Sequence, residues 1–99
     1  MPNAYWVVLF EDEPEMNDHR RKHRDAHMGF LRANENRIKI AGGMRPMPGA
    51  PYCGDMWIVR GCDFEDVVDI VQKDPYYNPQ YRRFRIFSWG KSLDKPVTL

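Results

Sequence analysis

Few side chains in this sequence could move a proton, hold a metal or attack a carbon atom. His27 stands out among them, because in "RDAHMGFLRAN" it falls on one helical stripe with Phe30 and Leu31. On a helical wheel Met16, Arg20, His23, His27, Phe30, Leu31 and Asn34 share one face. The first half of that stripe is polar, the second half is apolar, and His27 marks the border. An imidazole so placed can be partly buried and still reach a cavity. Imidazole also changes charge near neutral pH, which suits a general base. Inner-face histidines are more often hydrogen-bonded core residues, so a second signal is needed. Asp74 offers a small one: an aspartate at the end of a helix, just before Pro75, sits where the helix dipole disfavours it.

Other chemistries fit less well. His23 and His27 are four residues apart, a metal-ligand spacing, but no third ligand accompanies them and no metal is expected. Cys53 and Cys62 match neither a CxxC pair nor a zinc knuckle, and read as reduced thiols. Glu11, Asp12 and Glu13 precede a helix and read as capping acids. The basic run "HRRKHR" has no glycine-rich or aromatic motif beside it, so a solvated helical face is expected rather than a nucleic-acid surface.

Composition sets the outer limits. The 99 residues suffice for a single domain, 1–99, with a thin core, and a chain of this size often gains stability by pairing with a second copy. Hydrophobic residues at 42% and aromatics at 13% are too many for a disordered tail. A formal net charge of +1 gives no reason to expect nucleic acid or membrane as partner. No apolar run approaches the roughly 20 residues of a membrane helix. "MPNAYWVVLF" has neither a basic n-region nor a small-residue cleavage site, so a cytoplasmic location is expected.

Six elements must position the candidates. Tyr5 to Phe10 is an apolar, β-branched and aromatic run without strict alternation, which predicts a strand covered on both faces. Pro14, Glu13, Glu15 and Asp18 suit the start of the helix that carries His27. "RIKIAGGM" predicts a second strand, and "RPMPGAPYCG", with three prolines and two glycines, predicts a long loop over residues 44–54 of the kind that often serves as a lid. "DMWIVRG" is a third strand. "CDFEDVVDIVQKD" is a second helix, with Asp63 as N-cap, Asp66 completing a capping box, and Phe64, Val67, Val68 and Val71 as its apolar face. "RFRIFSW" is a fourth strand, with Phe84 and Ile86 facing one way and Arg83, Arg85, Phe87 and Trp89 the other. Residues 90–99 read as an extended arm. The order β-α-β-β-α-β is the ferredoxin-like α+β arrangement, an antiparallel sheet with both helices on one face. Aromatic residues on the other face predict a second sheet against it, hence a homodimer forming an α+β barrel.

Several motifs together resemble one family. "RDAHMGFL" resembles the R-x-x-H-x-x-aromatic-L helix signature of the YciI-like (YCII-related) proteins. "AGGM" is similar to their A-G-P strand end, with Gly43 in place of the usual proline. "KDPYY" is similar to their D-P-aromatic segment, and "FRIFSW" to their last strand. The likeness runs from about Tyr5 to Trp89. It implies a dimeric α+β barrel whose catalytic pair is His27 and Asp74, facing a cavity between helices and sheet. Asp74 would fix the imidazole tautomer, and the free nitrogen of His27 would act as a base. Members of known activity include dehydrochlorinases of chlorinated hydroxyhydroquinones, and muconolactone isomerases share the barrel. The resemblance therefore implies a lyase acting on a small hydroxylated aromatic ring, without cofactor. An isomerase of the same barrel and a non-enzymatic small-molecule-binding protein are the alternatives. Tyr76 could hydrogen-bond a ring oxygen, and Arg24 could steady an anionic one. Phe30, Trp57 and Tyr52 could wall a flat ligand, or belong to core and dimer interface.

Overall fold

A computed structural model describes residues 4–61 and 63–99. The expected order is present: β1 (Tyr5–Asp12), α1 (Met16–Ala33), β2 (Ile38–Met44), β3 (Gly54–Arg60), α2 (Phe64–Lys73) and β4 (Arg82–Trp89). The four strands form one antiparallel sheet in the order β2-β3-β1-β4. The ferredoxin-like fold read from the sequence is therefore the fold of the chain.

Both helices pack on one face of this sheet. Val8 and Phe10 of β1, Trp57 and Val59 of β3 and Ile38 of β2 are buried there against Val67, Ile70 and Val71 of α2. Phe30 and Leu31 of α1, with Phe84 and Ile86 of β4, complete the core. The period of two along β4 is as expected, and β1 alternates too, burying Val8 and Phe10 more than Val7 and Leu9. The capping box of α2 is present, with the Asp63 N–H donating to Asp66 Oδ2 at 3.2 Å. The buried face of α2 differs from the one expected. Ile70 is in the core, while Phe64 remains 47% exposed and meets Trp6 edge-on at 6.0 Å. Val67, Ile70 and Val71 are the buried residues of α2.

β1 and β3 approach closely at Gly54. A Cβ there would stand 1.9 Å from the Phe10 carbonyl oxygen, so only glycine fits. The segment after β2 is a loop, as expected, and turns through Gly49 at φ 88°. Cys53, at its end, is an exposed free thiol. Cys62 lies outside the described residues. No helix among the described residues is long and apolar enough to cross a membrane.

Candidate active site

The pattern that puts His27 on the inner face of α1 buries it to 6% exposure, and Asp74, one residue past the end of α2, to 3%. The two meet across 47 residues of sequence, His27 Nδ1 standing 2.6 Å from Asp74 Oδ1. A carboxylate can only accept, so Nδ1 carries the proton and Nε2 is left with a free lone pair. Asp74 Oδ1 also accepts the Tyr76 backbone N–H at 3.1 Å, while Oδ2 is buried without a hydrogen-bond partner among the described residues.

Tyr76 completes the group. Its ring lies flat on the His27 imidazole, with centroids 3.7 Å apart and planes 5° from parallel. Burial pushes its phenol above the ordinary range, outweighing the opposing Arg20 charge, so its hydroxyl stays a proton donor.

His27 and Tyr76 open onto a cavity of about 360 Å³ between α1 and the β2 edge, within the range of small-molecule sites. Arg20, Arg24, Met28 and Leu31 of α1 line one side, the backbone-rich Ala41–Gly43 of β2 lines the other, and Tyr52 closes it from the loop. Tyr52 can do so because Gly43 has no side chain: a Cβ there would fall 2.7 Å from two carbons of the Tyr52 ring. Two guanidiniums flank that ring, with Arg20 and Arg45 each 5.2 Å from its centroid.

A buried cluster of charges supports the back of the cavity. Arg82 binds Asp12 through Nε at 2.7 Å and Nη2 at 2.9 Å, and Asp55 through Nη2 at 2.7 Å. Arg20 reaches both carboxylates at 3.2 Å and donates to the Gly54 carbonyl at 2.7 Å. Burial works against the Arg82 charge, but its hydrogen bond to Asp12 and the charges of Asp55 and Asp12 more than offset this, and the guanidinium stays protonated beyond its ordinary range. Two cations and two anions balance here. Arg21, on the cavity rim, is paired with Asp18. Arg24 has no ion pair or hydrogen bond among the described residues, which makes it the uncompensated cation of the cavity wall.

Of the residues expected at the site, the structure brings His27, Asp74, Tyr76 and Arg24 together. Phe30 and Trp57 do not line the cavity. Trp57 is fully buried, 4.8 Å from Phe10 and 6.2 Å from Phe30, because its register on β3 aims it under the helices at mid-sheet. Tyr52, named as a possible wall, does line it. Arg20 and Asp55 were missed, as was the Arg82 cluster behind them. The signal was available in the alternation of Arg82 with Phe84 and Ile86, and of Asp55 with Trp57 and Val59. Groups of histidine, cysteine and acidic side chains able to hold a metal ion are absent among the described residues.

The fold resembles that of 5-chloro-2-hydroxyhydroquinone dehydrochlorinase from Burkholderia phenoliruptrix AC1100, solved in complex with 2,5-dihydroxybenzoquinone. The TM-score is 0.75 at 16% sequence identity, over 87% of this chain and 93% of that one. No curated protein matches the sequence. The family profile for the YCII-related domain matches residues 4–90. With nearly its whole length so matched, the chain belongs to the YCII-related family.

Proposed function

We propose that this protein is a cofactor-independent lyase that removes hydrogen chloride from a chlorinated hydroxyhydroquinone. The observation that carries the reading is the His27–Asp74 bond of 2.6 Å at the wall of an aromatic-sided cavity. The structural likeness to a dehydrochlorinase lends it support. His27 Nε2 takes the proton of a ring hydroxyl, and the electron pair moves into the ring as the carbon bearing chlorine takes up a proton. Loss of a second hydroxyl proton then expels chloride. The substrate loses one proton and one chloride, and the product is a hydroxyquinone, so no oxidant is required. Asp74 holds the tautomer and balances the imidazolium, Tyr76 donates to a ring oxygen, and Arg24 steadies the phenolate. A homodimer formed through the open sheet face is part of the same proposal.

The uncompensated charge of Arg24 favours a second reading, in which the ligand is a lactone bearing a carboxylate and the same base shifts its double bond. Chloride release from a chlorinated hydroxyhydroquinone separates the two. The wild type should release chloride, and His27→Ala and Asp74→Asn should each lose about 10²–10⁴-fold in rate while remaining folded. Absence of release from the wild type sinks the dehydrochlorination. Release indifferent to both substitutions sinks the dyad.

A further inference from the structure

Asp74 enters the site on a short turn. It is extended at φ −65°, ψ 131° ahead of Pro75, as a residue before proline prefers. Its carbonyl accepts the Tyr77 N–H at 2.7 Å and its Oδ1 accepts the Tyr76 N–H at 3.1 Å. These bonds shape the turn but do not place it against α1. Among the described residues, two hydrogen bonds do so over residues 74–76. One is the dyad itself. The other runs from His19 Nε2–H to the Pro75 carbonyl at 3.0 Å, joining residues 56 apart in sequence.

His19 and His27 are eight residues apart on α1, about 12 Å along its axis, and both reach this one turn. His19 is constrained at its other nitrogen as well. Nδ1 lies 3.4 Å from Asn78 Nδ2 and serves as acceptor, so Nε2 carries the proton. Asn78 is held in this orientation because its Oδ1 already accepts the Gln80 N–H at 3.1 Å. The His23 ring packs on the His19 ring at 4.2 Å. His19 is not among the cavity-lining residues.

We propose that His19 is a positioning residue: its grip on the Pro75 carbonyl sets where Asp74 and Tyr76 stand relative to His27. The kinetic consequence rests on the function proposed above, whereas the geometric one does not. Because His19 leaves the cavity wall to others, its loss affects turnover and spares binding. Misplacement by a fraction of an ångström at a catalytic pair costs on the order of 10-fold in rate.

Proton NMR of the imidazole side chains tests this without substrate. The Nδ1 proton of His27, in a 2.6 Å bond to a carboxylate, gives a far-downfield resonance. His19→Leu removes the donor, His19→Asn keeps an amide too short to reach Pro75, and His19→Gln restores a donor at the right length. The resonance should shift or broaden in the Leu and Asn variants and return in the Gln variant. With an active wild type, kcat should fall roughly 10-fold in Leu and Asn at nearly constant KM, and recover in Gln. Should the Leu variant fail to fold, the Asn and Gln pair decides. A resonance unmoved in every variant overturns the positioning role and leaves the dyad standing. A resonance that moves in a protein releasing no chloride keeps the positioning role and removes the lyase reading. No downfield resonance in the wild type overturns both.

Discussion

At the residue scale, the site depends on a proton held at one imidazole nitrogen so that the other is free. His27 and Asp74 do this with little help, since the second oxygen of Asp74 has no partner among the described residues. The neighbouring phenol adds a pH signature of its own. Burial raises the Tyr76 pKa, so the folded state holds that proton more tightly than the unfolded state. The stability tied to it is fully present below the unfolded value of about 10, and is lost as pH rises through the folded value. Denaturant midpoints should therefore fall from about pH 10 upward, and fall less steeply in Tyr76→Phe, which keeps the ring stacked on His27 but has no proton to lose. The hydroxyl remains a donor throughout the neutral range, so the Tyr76→Phe effect on turnover should not vary between mildly acid and mildly alkaline buffers.

At the scale of elements, two contacts decide whether the site exists. The first is the charge cluster that joins α1, β1, β3 and β4. Replacing Arg82 with Met leaves Asp12 and Asp55 buried with Arg20 as their shared counter-ion. That should cost about 3–5 kcal/mol in urea unfolding. The second is Tyr52 on Gly43. In Gly43→Ala the new methyl group displaces the ring, which is 42% exposed and free to swing outward. Stability should change little, while binding of 2,5-dihydroxybenzoquinone, measured by titration, should weaken by up to 10-fold, the loss of one aromatic contact of about 1 kcal/mol. These two contacts also mark what the sequence could and could not say. The second and fourth strands were legible from their alternation, the first and third from their apolar, β-branched runs, the helices from their apolar faces and caps, and His27 from its place on a wheel. Arg82 was legible in principle, because it stands in register with Phe84 and Ile86, yet an arginine in an apolar register is easily read as a turn residue. Tyr52 could be named only as one of several possible walls. Its place depends on a glycine nine residues earlier, across a loop whose course no periodicity describes. Trp57 was misplaced for the opposite reason. A tryptophan near a site suggests a wall, but strand register sends it to mid-core. The pairing of His27 with Asp74 came from family resemblance, since nothing local joins residues 47 apart.

At the scale of the molecule, the helices cover one face of the sheet and leave the other to solvent. That face carries Val7, Leu9 and Ile58, and exposes Ile40, Phe87 and Trp89 at 40–44%. Sedimentation of the wild type should give about twice the 11.8 kDa mass of the chain, and the double substitution Phe87→Glu, Trp89→Glu should return it to that of one chain. The sheet order also governs how the molecule is made. β1 lies between β3 and β4, and β4 is the last strand in sequence. Until Arg82 arrives, Asp12 and Asp55 must share one guanidinium, that of Arg20. A sheet of the first three strands alone would carry a surplus negative charge in its interior and would be penalised for it. The last strand removes that penalty when it docks. Charge balance in this way makes folding cooperative, because the sheet becomes electrically neutral inside only when it is complete.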